Sequence, residues 1–338
     1  MSLIPIELGH RRYDIRIEAG LLDRAGDWLS PFASKGKIVI VTDASVWAAQ
    51  GERLRRAGFG RESPLILPPG EATKSWPFLE GLVDSLIDSG LDRGDHVVAF
   101  GGGMIGDLAG FAAAIVKRGC SYVQVPTTLL AQVDSAVGGK TAINTAAGKN
   151  LVGAFHQPAA VFIDPTTLDT LAERELRAGY AEVVKYALIG DAGFFDWCEA
   201  NGATLLAGSP EARLHAIETC VRAKAAIVAE DERETSGRRA LLNFGHTLGH
   251  AIEAETGILH GEAVAIGMAT AFRRSVELGL CPVAEAKRAI AHLEAVGLPT
   301  ATDVPPERLA GRMRHDKKGG LRVLTRGIGQ AFLAPREE

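Results

Sequence analysis

The sequence predicts two domains, an N-terminal α/β domain built on a mostly parallel sheet and a C-terminal all-α domain. Short β-branched runs alternate with helical patterns up to about residue 165, and helical patterns predominate from about Thr167 onward. Alternating strands and helices are typical of a parallel sheet covered on both faces. The 338 residues can form two cores. Turn and cap residues at 164–167 place the boundary near 165–172, which gives domains 1–168 and 169–338.

The individual elements follow from the period of the apolar residues. In the first domain the predicted strands are 38–43, 65–69, 96–100, 122–126 and 160–164, and the predicted helices are 48–57, 78–90 and 105–117. In the second domain the predicted helices are 173–190, 211–232, 239–255, 261–279, 283–296 and 307–314, before a loop and a short return strand at 317–325.

Composition excludes several classes of partner. The net charge of −4 argues against nucleic acid or an anionic membrane surface. No apolar run reaches the roughly 20 residues of a membrane span, and the N-terminus lacks a signal-peptide pattern. The four cysteines (120, 198, 220 and 281) are scattered, which disfavours a disulfide framework or a thiolate zinc site. We therefore expect a cytoplasmic protein with a small-molecule ligand.

A glycine-rich turn follows the third predicted strand. The run Gly101-Gly102-Gly103-Met104-Ile105-Gly106 fits G-x-G-x-x-G at the start of a helix, where backbone amides approach a pyrophosphate. In a standard dinucleotide fold an acidic residue for the ribose follows about 20 residues later. Here the acid is available only upstream, as Asp43 or Glu71. The pattern predicts a dinucleotide site of a non-standard kind; a turn that merely packs on the sheet is the alternative.

Two further loops carry ammonium groups. The segment DSAVGGKT at 134–141 resembles the end of a P-loop, but Asp134 stands where the first glycine of that loop belongs and would repel a phosphate. We therefore reject an ATPase. Lys140, Lys149 and Asn150 still place two cations and an amide beside glycines. This favours a small phosphorylated or carboxylated ligand over solvated surface charges.

Polar side chains form a stripe in the segment 238–253. At ~100° per residue, a helix there places Arg239, Asn243, His246 and His250 on one face. His260 follows, and Glu182 lies in an apolar helical segment where a carboxylate is costly to bury unless it is paired or coordinated. A catalytic zinc takes three protein ligands, often two histidines and a glutamate. Spacing alone does not choose the two histidines, and pairing of Glu182 with Lys185 is the alternative.

Several long motifs of this sequence resemble those of one known family. The segments GGGMIGDLAGFAAA, VPTTLLAQVDSAVGGKTAIN, GKNLVGAFHQP, GYAEVVKYALI, DERE, RALLNFGHTLGHAIE and LHGEAVAIGM closely resemble the 3-dehydroquinate synthase family, from about Lys37 to Gly279 and again at 316–318. The resemblance implies a Rossmann-like NAD-binding domain, an α-helical metal-binding domain, one NAD and one zinc or cobalt ion in the interdomain cleft, and a homodimer.

The resemblance also implies roles for individual residues. The metal ligands would be Glu182, His246 and His260. The substrate would be contacted by Asp134, Lys140, Asn150, Lys185, Lys224, Arg239, Asn243, His250 and Lys317, with Arg118 reaching into the site of the neighbouring subunit. NAD would be contacted by Asp43, Glu71, Lys74, Gly102, Gly103, Asp107, Thr127, Thr128, Lys140 and Lys149. Glu253, one turn beyond the stripe, is a candidate partner for a metal ligand.

The activity that the resemblance implies is a carbon–oxygen lyase reaction, the second step of the shikimate pathway to aromatic amino acids. The substrate is 3-deoxy-D-arabino-heptulosonate 7-phosphate, a phosphorylated keto-acid sugar. NAD is transiently reduced, phosphate leaves by β-elimination, the hydride returns, and an aldol step closes the ring to 3-dehydroquinate. The alternatives are a related sugar-phosphate cyclase, a metal-dependent polyol or glycerol dehydrogenase, and a nucleotide-binding regulator without turnover. Arg239, Lys224 and Asn243 favour a carboxylated substrate.

Overall fold

The computed structural model describes residues 1–59, 63–234, 237–313 and 321–335. The chain forms two compact units. The first comprises Met1–Leu171 and Ile217–Ala229, and the second comprises Ala172–Ala216 and Glu230–Glu338. The segment Ile217–Ala229, which the sequence prediction placed in the second domain, therefore belongs to the first unit.

The first unit is built on a seven-stranded sheet. The strands of the chain are β1 Ser2–Ile6, β2 Tyr13–Ile17, β3 Ile38–Asp43, β4 Leu65–Leu67, β5 His96–Gly101, β6 Ser121–Pro126, β7 Lys140–Thr145, β8 Gly148–Phe155, β9 Ala160–Ile163, β10 Leu321–Thr325 and β11 Ala331–Pro335. The sheet has the order β1-β2-β9-β6-β5-β3-β4, and every neighbouring pair is parallel except β1 with β2. The predicted mostly parallel sheet is confirmed.

Helices cover this sheet on both faces. They are α1 Ala25–Ala33, α2 Ala44–Arg56, α3 Trp76–Asp88 and α4 Gly103–Ile115. Successive residues of β3 point to opposite faces, as a strand requires. Val39 and Val41 pack with Leu82 of α3, whereas Ile40 packs with Trp28 of α1. Two separate apolar cores result, one on each face. The antiparallel hairpin β7–β8 packs against α4.

The second unit is mainly helical. Its helices are α5 Glu173–Gly190, α6 Ala192–Leu206, the start of α7 Pro210–Glu230, α8 His246–Thr256, α9 His260–Glu277, α10 Val283–Ala295 and α11 Pro306–Met313, accompanied by the antiparallel pair β10–β11. Helix α9 is central, since it packs against α5, α8, α10 and β10. The predicted helical domain is confirmed, although α6 was not predicted.

The predicted helix 239–255 is wrong as a single element. Residues Arg238–Asn243 form a 3₁₀ helix, and α8 begins only at His246. Gly245, between them, has φ +78°, a left-handed conformation that favours glycine. A Cβ at Gly245 would lie 2.7 Å from the carbonyl oxygen of Val264 in α9. The chain therefore turns here because it lies directly against α9, and Arg239 and Asn243 do not continue the face of α8.

Four further parts of the first unit were not predicted from the sequence, namely β1, β2, α1 and the hairpin β7–β8. Predicted strand 65–69 is shorter, Leu65–Leu67. The expected contact of Lys317 lies outside the described residues.

Candidate active site

Three side chains of the second unit converge on one point. Glu182 lies in the middle of α5, while His246 and His260 are the first residues of α8 and α9. The Nε2 atoms of His246 and His260 lie 3.6 Å and 3.7 Å from Oε1 of Glu182. One ligand atom from each of the three residues lies within 4.8 Å of the others. A carboxylate and two imidazoles are a donor set that zinc accepts in catalytic sites.

The hydrogen bonds of the two imidazoles favour the form that binds a metal. Nδ1 of His246 lies 3.1 Å from the carbonyl oxygen of Phe244. Nδ1 of His260 lies 3.2 Å from Oε2 of Glu253. Each of these oxygens accepts a hydrogen bond, so in a neutral ring the proton is on Nδ1. The lone pair is then on Nε2, which faces Glu182. The residues present therefore fit a divalent metal held through two Nε2 atoms and a carboxylate.

Glu182 is fully buried, and among the described residues no donor other than the ammonium of Lys185 approaches its carboxylate oxygens as a hydrogen-bond partner. The ammonium group of Lys185, one turn further along α5, contacts Oε2, so the ion pair considered from the sequence is also formed. A buried carboxylate with unfilled hydrogen-bonding capacity is costly unless a further cation compensates it. Glu182 is thus both paired with Lys185 and positioned to bind a metal.

The electrostatic environments of the two histidines differ. Burial lowers the pKa of His246 well below its usual range, and the Lys185 ammonium acts in the same direction. Burial also acts to lower the pKa of His260, but the hydrogen bond with Glu253 and the charge of Glu182 outweigh it and raise that pKa. The surroundings of His246 thus favour its neutral ring, whereas the carboxylates beside His260 oppose the effect of burial on that ring.

The other polar residues of the predicted stripe surround this point without joining the triad. The ring of His250 lies 5.4 Å from that of His246 and 5.7 Å from that of His260. The guanidinium of Arg239 donates to the carbonyl oxygen of Glu232 at 2.6 Å. The side-chain amide of Asn243 donates to Glu234 at 3.4 Å. Arg239 is only 2% exposed, so its charge is held in a fixed place within the second unit.

The first unit has its own candidate site where β3 and β5 end. Strand β4 lies on one side of β3 and β5 on the other, so the strand order reverses here. Ligands of parallel sheets bind beyond the carboxyl ends of the strands at such a switch point. Asp43 ends β3, and Gly102 precedes the first residue of α4. A Cβ on Gly102 would lie 3.0 Å from Cγ2 of Thr128, so a larger residue here would crowd that side chain.

This geometry fits a dinucleotide in the non-standard form expected from the sequence. Asp43 caps α2, with Oδ1 accepting from the backbone amides of Ser45 and Val46. Its carboxylate thus stands on the strand next to the glycine-rich turn, whereas the standard acid follows that turn in sequence. The first amides of α4 provide an anion-binding helix terminus. Thr127, after β6, has a buried hydroxyl with no hydrogen-bond partner among the residues that the structure describes.

A charged cluster adjoins the glycine-rich turn in the first unit. The ammonium of Lys74 lies 2.7 Å from Oδ2 of Asp107 and 3.5 Å from Oε1 of Glu71. Lys149 lies 3.9 Å from the same Glu71 oxygen. Four residues predicted to contact NAD are therefore brought together. Asn144, which the sequence analysis missed, donates to Glu71 at 2.7 Å and accepts from the backbone amide of Asn150 at 3.1 Å. Asn144 lies within a strand, in no motif typical of a binding site, so the sequence did not indicate a functional role for it.

The remaining predicted residues of the first unit lie on several different elements. Asp134 is in the π-helix Ala131–Ser135, and Lys224 of α7 approaches Oδ1 of Asp134 at 3.0 Å. Lys140 opens β7. Asn150, in β8, has φ +55°. Arg118 follows α4 with φ +67°. π-Helices and left-handed non-glycine residues are frequent at functional sites.

Comparison with known proteins identifies related sequences over most of the chain. Residues 64–178 match the profile of the 3-dehydroquinate synthase N-terminal domain, and residues 179–319 match that of the C-terminal domain. The 3-dehydroquinate synthase of Rhodospirillum rubrum is 55% identical, over 98% of this chain and 91% of that protein. The 3-dehydroquinate synthase of Zymomonas mobilis is 52% identical, over 98% and 91%.

Solved structures with the same fold include two cyclases. The 2-epi-5-epi-valiolone synthase of Streptomyces hygroscopicus subsp. jinggangensis, with NAD⁺ and Zn²⁺ bound, is 32% identical with a TM-score of 0.88, over 96% of this chain and 93% of that one. A 2-deoxy-scyllo-inosose synthase complexed with carbaglucose-6-phosphate, NAD⁺ and Co²⁺ is 28% identical with a TM-score of 0.88, over 99% and 97%. A probable glycerol dehydrogenase of Sinorhizobium meliloti, 20% identical with a TM-score of 0.64 over 88% of each chain, shares the fold alone.

Proposed function

The chain belongs to the 3-dehydroquinate synthase family, and we propose that it converts 3-deoxy-D-arabino-heptulosonate 7-phosphate to 3-dehydroquinate and phosphate. The structural observation that carries this proposal is the buried Glu182 facing the Nε2 atoms of His246 and His260. A regulator without turnover has no need of this donor set. The reaction releases phosphate by breaking a carbon–oxygen bond, so the enzyme is a carbon–oxygen lyase.

The cofactors of the proposed reaction are NAD and a divalent metal, Zn²⁺ or Co²⁺. Two structural relatives above 25% identity carry NAD⁺ with one or other of these metals. Glu182, His246 and His260 would hold the metal, and the turn at Gly102 and Gly103 would receive the NAD pyrophosphate. When bound, the metal supplies a Lewis acid that lowers the pKa of a substrate hydroxyl, and NAD supplies a reversible hydride acceptor.

The proposed NAD contacts are side chains of the first unit that share an edge of the sheet or the cluster beside it. Asp43 would accept hydrogen bonds from a ribose, the role that an acid after the glycine-rich turn has in standard dinucleotide folds. The other contacts are Glu71, Lys74, Asp107, Thr127, Thr128, Lys140 and Lys149. The ion pairs among Glu71, Lys74 and Asp107 support this assignment, since they fix the charges before a ligand arrives. Such preorganisation reduces the entropy lost on binding.

The proposed substrate contacts are mostly cations and amides. They are Asp134, Lys140, Asn150, Lys185, Lys224, Arg239, Asn243 and His250, together with Lys317 outside the described residues. A substrate with a phosphate and a carboxylate needs positive groups at both ends. Lys224 is held by both the carboxylate and the main-chain carbonyl of Asp134, and Arg239 by the carbonyl of Glu232. Cations held in this way would keep the substrate in one reactive conformer.

Two polar side chains near the metal ligands, Lys185 and His250, support the proposal that the site is catalytic. Lys185 lies against Glu182 in the core of the second unit and is only 1% exposed. An ammonium so placed is available to a substrate anion, and His250 beside the two metal-binding rings is available to transfer a proton or to donate a hydrogen bond. Loss of His250 should affect the reaction more than stability. Loss of Lys185 should affect both, because it removes the cation that is paired with the buried carboxylate of Glu182.

One assay tests the proposed function. Metal-loaded protein is incubated with 3-deoxy-D-arabino-heptulosonate 7-phosphate and trace NAD⁺, and phosphate, dehydroquinate and NADH are followed. We expect phosphate and dehydroquinate in equal amounts, far in excess of NAD, without lasting NADH. Absence of phosphate release from metal- and NAD-loaded protein would contradict the proposal. Net NADH formation with glycerol would indicate a dehydrogenase, and turnover of a sugar phosphate lacking the carboxylate would indicate another cyclase.

We further propose a homodimer in which Arg118 reaches the partner's active site. Five large apolar side chains of the first unit are exposed on elements that pack together on one side of the sheet: Trp76, Ile87, Ile115, Leu151 and Phe155. A contiguous exposed apolar patch marks an association surface, and these five side chains are the residues that would form one here. Arg118 follows Ile115 in a left-handed conformation, and such strained backbone persists where function requires it.

The proposed location is the cytoplasm. Among the residues that the structure describes, no helix is long and apolar enough to cross a membrane. All four cysteines are buried and none forms a disulfide in the described part of the chain, which suits a reducing compartment.

A further inference from the structure

His260 is contacted at both of its ring nitrogens by carboxylates. Its Nε2 lies 3.7 Å from Oε1 of Glu182, and its Nδ1 lies 3.2 Å from Oε2 of Glu253 on α8. We propose that Glu253 is a positioning residue that sets the metal affinity of the site through His260. The proposal rests on the metal site of the proposed function, and it assigns Glu253 a role that is distinct from ligation.

The first part of this role concerns the position of the proton. A neutral imidazole carries one proton, and only the other nitrogen binds a metal. Glu253 accepts a hydrogen bond, so it stabilises the form of His260 that is protonated at Nδ1. That form presents the Nε2 lone pair toward Glu182. Without Glu253, the ring is divided between two tautomers and can rotate about χ2, and both effects weaken metal binding.

The second part of this role concerns the charge of Glu253. A comparison of the two histidines separates the effect of this charge from the effect of the hydrogen bond. His246 is held by the neutral carbonyl of Phe244, whereas His260 is held by a carboxylate. A carboxylate increases the basicity of the ring more than a carbonyl does, and its charge also attracts the cation. The side chain of Glu253 is only 10% exposed, so water screens this charge weakly. Two carboxylates therefore act on the bound cation, Glu182 as a ligand and Glu253 through His260.

A purely structural contact between α8 and α9 is the competing explanation. These helices already approach closely without Glu253. A Cβ at Gly249 of α8 would lie 3.2 Å from the carbonyl carbon and oxygen of Ala263 in α9, so the two backbones are in contact there. Ala251 and Ile252 of α8 share an apolar cluster with Ala263 and Ile266 of α9. The hydrogen bond of Glu253 is therefore not required to hold the helices together.

Helix α8 also offers a matched control. Glu255 has the same side chain, and its exposure of 9% is close to the 10% of Glu253, but it forms an ion pair with Arg308. Residues two apart on a helix point about 200° apart, so Glu255 faces away from the metal site. A change at Glu255 removes a carboxylate from the same helix without touching His260.

The experiment measures zinc binding by chelator competition in the full-length chain carrying Glu253→Gln, Glu253→Ala or Glu255→Gln. We expect Glu253→Ala to weaken zinc binding about 10- to 100-fold, as for other groups that support metal ligands. Glu253→Gln keeps an oxygen that can accept from Nδ1 but loses the charge, so it should fall between wild type and Glu253→Ala. Glu255→Gln should bind zinc as wild type does. The absorption spectrum of bound Co²⁺ should change in Glu253→Ala, because the coordination geometry of His260 changes.

The possible failures are distinguishable. If the wild-type protein binds neither zinc nor cobalt, the metal site of the proposed function is wrong and this inference falls with it. If wild type binds zinc and Glu253→Gln and Glu253→Ala bind it equally well with the same Co²⁺ spectrum, only the role of Glu253 is overturned. Equal weakening by Glu255→Gln would also overturn it, since a general effect on α8 would then explain the loss. Glu253→Gln preserves the shape of the side chain, so the test does not depend on the alanine variant remaining folded.

Discussion

His246 and His250 lie one turn apart on α8, yet their surroundings assign them different tasks. Nδ1 of His246 is occupied by the carbonyl of Phe244, which turns Nε2 toward Glu182 at 3.6 Å. The ring of His250 lies beside both metal-facing rings, but it is not part of the group of ligand atoms that converge. Of two histidines spaced four residues apart on one helix, one therefore faces the candidate metal ligands Glu182 and His260, and we propose that the other contacts the substrate.

This difference predicts opposite phenotypes for two alanine variants. His260→Ala removes one of three ligands, so it should lose bound zinc and turnover together. His250→Ala should retain zinc but lose most phosphate release, because the metal triad is intact while a group beside the substrate is missing. Metal content after dialysis and phosphate release are the two measurements. If His250→Ala empties the metal site, the assignment of ligands is wrong.

His96, at the start of β5, is a buried histidine remote from the metal site in sequence. Neither of its ring nitrogens has a hydrogen-bond partner in the part of the chain that the structure describes, and its ring packs edge-on against Phe32. Burial lowers the pKa of His96, the charge of Lys35 acts in the same direction, and Asp95 partly opposes both. The folded state thus favours the neutral ring, whereas the unfolded chain protonates near 6.5, the usual pKa of histidine.

The sign of the resulting pH dependence follows from proton binding. Between the lowered folded pKa and 6.5 the unfolded state binds more protons than the folded state, so stability increases with pH there. The free energy of unfolding should be at its full value above 6.5 and fall as the pH drops below it. His96→Phe should flatten this decline and cost little near neutrality, because it also removes two unsatisfied nitrogens. Urea unfolding of both proteins at several pH values tests this prediction. If the free energy of unfolding falls as steeply with decreasing pH in the variant as in wild type, the prediction is contradicted.

At the scale of elements, the position of His246 depends on how closely the Gly245 turn approaches α9. A Cβ at Gly267 of α9 would lie 1.9 Å from the carbonyl oxygen of Gly245. Likewise, a Cβ at Gly261 would lie 1.8 Å from the carbonyl oxygen of Ala178 in α5. Glycines on α9 thus let α5, α9 and the turn before α8 come close enough for their three ligands to meet.

Gly267→Ala should therefore disturb both stability and metal binding. Displacing the Gly245 turn should cost about 1–3 kcal/mol, as overpacking does in other cores, and should move His246 away from Glu182. Gly190→Ala is the control, because a Cβ there meets nothing within 4 Å and the residue has no left-handed φ. It should leave zinc affinity unchanged and alter stability by less than about 1 kcal/mol. Equal zinc affinities of the two variants would contradict this account.

The same turn shows which features the sequence could predict. Helix α5 was predicted at 173–190 and has these bounds, because its period of apolar residues is set locally and persists over five turns. The helix predicted at 239–255 is broken because Gly245 meets α9, and a contact between residues 22 apart leaves no trace in a local period. The hairpin β7–β8 was missed because its glycines and lysines suggested a phosphate loop and its burial pattern alternates irregularly.

The candidate sites were predictable to different degrees. The glycine-rich turn and Asp43 were found from the sequence, but their relation depends on the strand order, since β3 and β5 are neighbours while β4 lies outside them. Spacing alone also could not choose between the histidines. That choice depends on which nitrogen each ring turns inward, and hence on Phe244 and Glu253, whose contacts the sequence does not fix.

At the scale of the whole molecule, the proposed homodimer makes each active site depend on two chains. Symmetric dimers present the same surface twice, so a residue that reaches across on one side does so on the other. Arg118 is exposed and left-handed at the end of α4, and the exposed apolar side chains of Ile115, Leu151 and Phe155 lie on α4 and the β8 strand that packs with it. If this surface joins two copies, loss of Arg118 in one chain should be supplied by the other.

Complementation between two inactive variants tests this arrangement. Arg118→Ala and His250→Ala chains with different tags are coexpressed, and the mixed dimers are purified. Each homodimer should be inactive, but a mixed dimer contains one site with both residues intact only if Arg118 acts across the interface. Phosphate release should therefore reappear in the mixed dimer. Mixed dimers of Lys185→Ala and His250→Ala are the control and should stay inactive, because both residues serve their own chain. A monomeric wild-type protein in sedimentation, or mixed dimers without activity, would show that Arg118 does not complete a neighbouring site.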